Sequence, residues 1–267
     1  MIASATIATS MDKNHWVEAG SVQWTHDMEK KTFVFSQQPQ ARYIRIKVNK
    51  AYGDFGSGQE LYVFKMKGSA SYIPGDINND KTLDENDLTS YLNYTGLRLG
   101  DKDFEGYVSK GDINGNGLID AYDISNVAVE MEERARPSKD TLSGKLVMSP
   151  DKKTYKAGET AVITVRGFGL KAVNALSFAL AYVPNDYEYL GCDAIGTKKM
   201  QNYTNDRLHS NGTKSLYPTF VNIGNQATLE GSEDLFTLKF KVKKAGAFAP
   251  QMTDGILVDK ALFSIMF

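Results

Sequence analysis

Alternation of apolar and polar residues predicts β-structure in the first part of the chain, residues 1–68. Ile44, Ile46 and Val48 recur with a period of two, which places them on one face of a strand. Strands are expected at residues 32–35, 42–48 and 61–64. Because so few strands leave one face and two edges open, this part predicts only a partial β-sandwich.

The last part of the chain, residues 140–267, shows the same signals over a greater length. Turn residues such as Gly158 separate short apolar or alternating segments. The expected strands lie at residues 161–165, 176–184, 187–190 and 235–242. Several short strands with turns between them favour a complete β-sandwich.

The middle of the chain changes to a helical period. Apolar residues recur at spacings of three and four in two segments, 85–97 and 121–135, with a short helical turn expected at 103–108. Small polar residues before this region and Pro137 after it indicate linkers. We therefore predict a small helical domain over residues 72–137.

A 12-residue segment rich in Asp and Asn precedes each predicted helix, at residues 76–87 and 112–123. Oxygen-bearing side chains occupy positions 1, 3, 5, 9 and 12 of both segments. Calcium takes six to eight oxygen ligands, and such loops supply them at these positions and from the carbonyl at position 7. The expected ligands of two calcium ions are Asp76, Asn78, Asp80, Thr82, Asp84 and Asp87, and Asp112, Asn114, Asn116, Leu118, Asp120 and Asp123. The alternative is a pair of polar turns without metal.

The two loops differ at position 6, where a sharp turn favours glycine. The second loop has Gly117 there, whereas the first has Lys81, which adds strain and a positive charge. The first loop compensates with four Asp residues against three, so the relative affinities stay open. The apolar residues at position 8, Leu83 and Ile119, are expected to pair the loops.

Position 12 is Asp in both loops, Asp87 and Asp123, and the loops start 36 residues apart. With the helix that follows the second loop, residues 72–137 resemble a type I dockerin. That resemblance implies a plug for cohesin domains in polysaccharide-degrading assemblies. It also implies a partner-binding surface formed by Glu85, Asn86, Leu92, Asn93, Ala121, Tyr122, Ala128 and Val129.

The flanking parts resemble two other families. Residues 14–18, 41–46 and 56–64 resemble the second half of a discoidin (coagulation factor 5/8 type C) module, an antiparallel sandwich that often binds sugars. Tyr52 is the carbohydrate contact we expect, because aromatic faces pack on sugar rings. Trp16 and Trp24 are interpreted as core residues, with sugar stacking as the alternative.

The last part resembles a cohesin or a related carbohydrate-module sandwich. The resemblance is carried by residues 156–165, 178–184, 221–225 and 235–242, with Tyr182-Val183-Pro184 where the family has Tyr-Asp-Pro. Because cohesins bind dockerins, the resemblance implies a cohesin-type contact in cis or in trans.

The composition bears on the possible partners and on the disulfide content of the chain. The net charge of −1 gives no reason to expect a nucleic-acid partner, and no apolar run is long enough to span a membrane. The single Cys192 excludes an internal disulfide and is expected to be a buried thiol. The start of the chain is too polar for a secretory signal, so we expect a fragment of a longer protein.

No arrangement of residues indicates catalysis. His15, His26 and His209 are isolated and lack metal-binding spacing, and no Gly-x-Ser-x-Gly elbow or phosphate loop occurs. The clustered carboxylates are explained by calcium rather than by a glycosidase pair. We therefore expect no enzyme activity in this chain.

Together these expectations describe a multidomain, mainly β chain with a small α calcium-binding domain. The order is a half discoidin-like sandwich at 1–68, a dockerin-like domain at 72–137 and a cohesin-like sandwich at 140–267. The resemblances imply a non-catalytic region of a secreted, surface or periplasmic glycoside hydrolase of the kind found in gut Bacteroides-like bacteria. Assembly, glycan targeting by carbohydrate-binding modules, and rigid spacing are the three functions left open.

Overall fold

The computed structural model of the chain describes residues 1–27, 29–35, 41–55, 61, 73–132 and 142–267. They belong to two compact units, Met1–Ser71 and Tyr72–Phe267. The described residues are mainly β-strand with two α-helices, as the alternation along the chain predicts. None of the helices among them has the length and apolar character needed to cross a membrane.

The first unit contains one antiparallel sheet of strands β1 (Ile2–Ser10), β2 (Val17–Gln23) and β3 (Tyr43–Ala51), in the order β2-β1-β3. Strand β3 forms where the alternation predicts one and pairs with β1, with Ile46 opposite Ile7.

The first unit lacks one expected strand, and a second expected strand lies mostly outside the described residues. The segment 32–35 is not a strand, and the ring of Phe33 lies over Gly20 of β2 instead. Phe33 thus covers the sheet, whereas Val34 is exposed. The strand expected at 61–64 falls outside the described residues, apart from Leu61. A second sheet that would complete a discoidin-like sandwich therefore remains a prediction.

The second unit begins with helices α1 (Glu85–Tyr94) and α2 (Ala121–Met131). The chain between them makes two short 3₁₀ helices, Lys102–Phe104 and Val108–Gly111, close to where a helical turn is expected. Tyr91 of α1 is fully buried, and its hydroxyl donates to the carbonyl of Gly111 at 2.9 Å. Apolar residues at helical spacing therefore join the two helices and the connection into one small core.

The rest of the second unit is a β-sandwich of two sheets. Sheet I is formed by β6 (Ala175–Ala181), β8 (Gln201–Asn202), β9 (Asn205–Leu208), β10 (Lys214–Tyr217), β11 (Thr219–Val221), β13 (Met252–Val258) and β14 (Ser264–Met266). Sheet II is formed by β4 (Ser143–Pro150), β5 (Thr160–Val173), β12 (Leu229–Val242) and β7 (Tyr187–Ala194), paired in the order β4-β5-β12-β7.

Aromatic rings from both sheets meet in the sandwich core. Phe236 of β12 packs against Phe220 of β11, with ring centroids 4.7 Å apart, and against Phe178 of β6 at 6.2 Å. In β12, buried residues alternate with more exposed ones from Phe236 to Val242. Sheet II therefore packs on the core with one face and is in contact with water on the other.

Sheet I differs, because it is covered on both faces. Leu176 and Phe178 of β6 point into the core, yet the intervening Ala175, Ser177 and Ala179 are buried too. The cover on the outer face includes α2, which contacts β6, β11 and β13. The helical part and the sandwich therefore form one packed unit, which is the contact in cis that the sequence left open beside a contact in trans.

Candidate functional site

The first Asp-rich loop folds back on its own carboxylates. The carboxylate of Asp76 accepts the backbone N–H groups of Asp80, at 3.0 Å, and Lys81, at 3.2 Å. The side-chain oxygen of Asn78 accepts the N–H of Asp80 at 2.9 Å, and Asp80 accepts that of Thr82 at 2.8 Å. These bonds direct the side chains at positions 1, 3 and 5 toward the inside of the loop.

The second loop repeats this network position by position. The carboxylate of Asp112 accepts the N–H groups of Asn116, at 3.1 Å, and Gly117, at 2.8 Å. Asn114 accepts the N–H of Asn116 at 3.0 Å, and Asn116 accepts that of Leu118 at 2.9 Å. Two segments with the same residue types at the same positions thus adopt the same hydrogen-bonding pattern.

Positions 9 and 12 connect each loop to its helix. Asp84 is the N-cap of α1, and its own N–H donates to Asp87 at 3.0 Å; Asp120 and Asp123 form the same capping box on α2 at 2.9 Å. The carboxylate of Asp123 also accepts the N–H of Ile113 near the loop start, at 2.7 Å. The carboxylates that cap the helices are therefore held beside the first residues of the loop.

Backbone strain at position 6 distinguishes the loops. Lys81 and Gly117 both have left-handed backbones, with φ of +75° and +85°. Asn79 and Gly115, two residues earlier, are left-handed as well, at +61° and +69°. The first loop therefore places two non-glycine residues where the second uses glycine, which has no Cβ to clash there.

Position 8 holds Leu83 in the first loop and Ile119 in the second. Ile119 is fully buried, but its backbone pairs with the segment after α1: its N–H donates to Leu97 and its carbonyl accepts from Gly96, both at 2.9 Å. Leu83 instead packs near Gly75 and Val127. The backbone of Ile119 thus pairs with the chain leaving α1, and the pairing of the two loops through the side chains of Leu83 and Ile119 stays a prediction.

Burial and mutual repulsion raise the pKa values of several loop carboxylates. Burial raises the pKa of Asp123 well above its usual range, and the charges of Asp120 and Asp112 raise it further. Burial also raises the pKa values of Asp120 and Asp112, and of Asp87 in the first loop. None of the salt bridges among the described residues involves a carboxylate of either loop. A bound cation would offset the repulsion between these carboxylates.

The donor set fits a hard cation. Both loops offer carboxylate, amide and backbone carbonyl oxygens, which calcium accepts at six to eight positions. In the described chain, no three or more His, Cys, Asp or Glu side chains are grouped in a way that could hold a metal by themselves. The loops would have to complete the coordination with Asn and carbonyl oxygens, and such ligands suit calcium better than transition metals.

The second feature of this unit is the contact between its helical part and sheet I. Residues 121–128 of α2 are all buried, and the N–H of Ala121 donates to the hydroxyl of Ser177 on β6 at 3.2 Å. The Ser125 hydroxyl and the Asn126 amide nitrogen are buried without a hydrogen-bond partner in the described residues. Helix α2 thus packs closely against sheet I, although two of its buried polar groups have no hydrogen-bond partner there.

The C-terminal end of α1 is capped by the sandwich. The last turn of α1 contains no basic residue of its own. The side-chain amide of Asn205 on β9 donates to the carbonyl of Leu92 at 2.7 Å, and Arg207 donates to the carbonyls of Thr95, at 2.7 Å, and Asn93. Arg207 therefore places a positive charge at the negative end of the helix dipole.

A buried hydrogen-bond chain joins the connection after α1 to the turn between β9 and β10. One ring nitrogen of His209 lies 2.7 Å from the carboxylate of Asp101, and the other lies 2.9 Å from the hydroxyl of Tyr217. Asp101 also accepts the N–H of Ser210 at 3.0 Å. Burial raises the pKa of Asp101, but the bonds from His209, Ser210 and Arg98 outweigh it and leave the pKa below its usual value.

Gly96 lies flat against the ring of Tyr217. A Cβ at this glycine would come within 2.3 Å of the ring carbons, and its φ of +82° is left-handed. Any other residue would therefore meet both backbone strain and a steric clash.

The residues expected to bind a partner lie on or near this contact to different degrees. Ala121 is bonded to Ser177, and Tyr122 and Ala128 are buried on the same helix. Leu92 and Asn93 offer their carbonyls to β9. Glu85 and Leu92 line a cleft of about 230 Å³ between α1 and the sandwich, together with Leu88, Thr89, Gln201, Tyr203 and Ile223. Asn86 is exposed and Val129 half-buried.

Sequence reasoning did not identify the sandwich side of this contact. The strand Ala175–Ala181 has no polar alternation, which is a signal of burial on both faces. Arg207 and His209 occupy alternate positions and so point to the same side. Basic residues on or beside a strand do not by themselves indicate a contact with a helix end, so the sequence offered no reason to choose these two. His209 is buried between Asp101 and Tyr217 and bonded to both.

The first unit places Tyr52 at its surface, 40% exposed. Its ring stacks on His26 with centroids 4.7 Å apart, and its hydroxyl donates to the carbonyl of Trp24 at 2.8 Å. Trp16 and Trp24 are half-buried, and the guanidinium of Arg45 lies 4.2 Å from the Trp16 ring centroid. One face of each of the Tyr52 and Trp16 rings is thus already occupied.

No protein-family model and no curated protein matches the sequence. Solved cohesin structures are similar to part of it. A type II cohesin domain from the cellulosome of Acetivibrio cellulolyticus is 12% identical over 46% of this chain and 88% of its own, with a TM-score of 0.38.

Two further cohesin structures give similar values. A cohesin module from a family 33 glycoside hydrolase of Clostridium perfringens is 11% identical over 47% of this chain and 90% of its own, with a TM-score of 0.37. A structure of a type I cohesin–dockerin complex from Clostridium thermocellum is 12% identical over 48% and 91%, also at 0.37. The similarity is to cohesin modules and concerns the fold alone.

Proposed function

We propose that residues 73–267 are a non-catalytic docking unit. In this unit two calcium-loaded loop–helix repeats, the loop 76–87 with α1 and the loop 112–123 with α2, bind sheet I of a sandwich in the same chain. The observation that carries this proposal is the covered outer face of sheet I, where Ala175, Ser177 and Ala179 are buried beneath the repeats. The calcium part is supported by the matching hydrogen-bond networks of the two loops.

Calcium and docking are physically linked in this arrangement. The loop carboxylates Asp84 and Asp120 are also the N-caps of α1 and α2, so a cation that orders the loops also fixes the helices that contact the sandwich. The helical part is small and would have a marginal core by itself. Binding energy from calcium therefore adds to the stability of the docked state.

This docking unit fits an accessory region of a secreted, cell-surface or periplasmic protein that takes part in polysaccharide breakdown. The dockerin-like loops and the cohesin-like sandwich of the sequence support that setting. Docking within one chain favours rigid spacing over capture of a separate partner, because the sheet I face is already covered. Exchange between two chains would turn the same contact into an assembly contact.

Glycan targeting has less support from the geometry. It rests on Tyr52, whose ring is stacked on His26 and whose hydroxyl is bonded to the backbone. We therefore advance docking as the function.

The test uses the whole chain with a protease site placed between Glu132 and Leu142. After cleavage, the two pieces are passed through a size-exclusion column in calcium, in magnesium and in chelator. We expect them to elute together in calcium and to separate in chelator. The Asp112→Ala variant is expected to separate at calcium concentrations that hold the unaltered pieces together, because it removes the position-1 ligand of the second loop.

Two outcomes would contradict the proposal in different ways. Separation of the unaltered pieces in calcium would show that the contact is too weak to act as a docking unit. Elution together in every buffer, with no effect of Asp112→Ala, would show that docking needs no cation.

A further inference from the structure

We infer that Asn205, Arg207 and His209, hereafter the β9 clamp, determine which repeat binds at this edge of sheet I and so fix a single docking orientation. The inference rests on the proposed docking function and names the residues that make it specific.

The clamp recognises the end of a helix through its backbone. Near the end of α1, the carbonyl of Tyr91 is bonded to Thr95 and that of Tyr94 to Leu97. The remaining carbonyls, of residues 92, 93 and 95, accept their hydrogen bonds from Asn205 and Arg207. Docking therefore satisfies groups that a helix end leaves unpaired.

Arginine suits this position for a geometric reason. Its planar guanidinium directs several N–H groups in fixed directions, so one side chain can bond the carbonyls of Asn93 and Thr95 together. Lysine would bring the same charge without the fixed fork. The absence of a basic residue in the last turn of α1 leaves this position to Arg207.

Selectivity comes from the residues that follow the helix. In the first repeat these are Gly96, against Tyr217, and Asp101, against His209. The loops start 36 residues apart, so the matching residues of the second repeat are Glu132 and Pro137. Glu132 would bring a side chain to the place against Tyr217 where Gly96 has only a hydrogen. Pro137 has no carboxylate that could accept a hydrogen bond from His209. The second repeat is therefore not a substitute for the first at the clamp.

The experiment measures the dissociation constant of the two pieces of the cleaved chain in saturating calcium. Arg207→Ala is expected to raise it by about 10- to 100-fold, since hydrogen bonds from a charged group are lost. Arg207→Lys is expected to fall between Arg207→Ala and the unaltered chain. Arg166→Ala is the matched control, because Arg166 lies on sheet II and pairs with Asp234. It should leave the constant within about twofold.

Asp101→Ala tests the single orientation. The alternative is that the pieces dock in two orientations, with either the first or the second repeat at the clamp. If the two orientations were equally populated, removing a residue found in only one repeat would weaken binding by no more than about twofold, because the other orientation would persist. We expect about tenfold or more, with the exposed Glu105→Ala unchanged as the control.

Each failure has a distinct meaning. Arg207→Ala with an unchanged constant would overturn the clamp, and a loss of twofold or less in Asp101→Ala would overturn the single orientation. In both cases calcium-dependent elution of the unaltered pieces would still support docking. Separation of the unaltered pieces in calcium would instead count against docking itself.

Discussion

At the scale of single residues, position 6 of the two loops shows how the same backbone can be formed at different cost. Lys81 and Gly117 have nearly the same left-handed φ, yet only glycine adopts it freely. The side chain of Lys81 also extends toward Tyr107, whose hydroxyl donates to Asp76 at 3.0 Å. The first loop therefore has a lysine with a strained backbone, and the positive charge of that lysine lies beside the expected calcium ligands.

Lys81→Gly is expected to tighten calcium binding at the first loop. A left-handed backbone costs a non-glycine residue about 1–2 kcal/mol, and glycine removes this cost. In calcium, the melting temperature of the second unit should rise by about 2–4 °C for each kcal/mol gained. Calcium titration followed by calorimetry measures both quantities.

Lys81→Gln separates charge from strain in this experiment. It removes the positive charge but keeps a side chain at φ of +75°. If Lys81→Gln equalled Lys81→Gly, charge alone would account for the difference between the loops. Asn79→Gly should give a smaller gain, because asparagine tolerates the left-handed region better than lysine.

At the scale of elements, the sequence signals differ in how directly they indicate structure. The two helices were predictable because Asp84 and Asp120 cap them and apolar residues recur at helical spacing. The alternating strand at Phe236 was predictable for the same kind of reason, although β12 begins earlier than its apolar part. Strand β1 was not predicted, because its serines and threonines reduce the alternation in hydrophobicity.

The docking contact could be predicted only in part. The repeated Asp and Asn positions indicate the loops, and the resemblance suggests a surface on the helices. Asn205 and Arg207 bond to backbone carbonyls at the end of α1, so the side chains of the helix give no sign of this contact in the sequence. The residues that meet there, such as Asp101 and His209, are 108 apart in sequence.

Gly96 gives a direct test of the contact between these elements. Gly96→Ala would place a Cβ within 2.3 Å of the Tyr217 ring and would also strain a left-handed backbone. Gly100→Ala is the matched control, since Gly100 has a φ of +96° and a Cβ at that position would meet no other atom within 4 Å. Both variants carry the backbone cost, and only Gly96→Ala carries the clash.

We expect Gly96→Ala to lower the melting temperature of the second unit more than Gly100→Ala does. The overlap should add about 1–3 kcal/mol to the shared backbone cost, as overpacking in a filled site does. Thermal denaturation in calcium compares the two variants. Equal losses would mean that glycine is needed at position 96 only for its left-handed backbone, and that the contact with Tyr217 is not tight.

At the scale of the whole molecule, the two faces of the sandwich have different exposures to water. Sheet II keeps one face in contact with water, whereas sheet I is covered by the repeats. The outer residues of β13, Ile256 and Val258, are buried like those of β6. A sandwich that lost its repeats would therefore expose a continuous apolar surface, which a soluble protein rarely presents.

Calcium removal should consequently act on one sheet before the other. Amide hydrogen exchange measured in calcium and in chelator is expected to accelerate by about 100-fold in β6 and β13 if calcium had been present at 100 times its dissociation constant. Strands β5 and β12 of sheet II are the internal control, because α2 packs on β6, β11 and β13 of sheet I instead. They should keep their protection as long as the sandwich core around Phe236 stays packed. Equal acceleration in both sheets would mean that the sandwich unfolds with the repeats, and no acceleration in β6 would mean that calcium does not hold them in place.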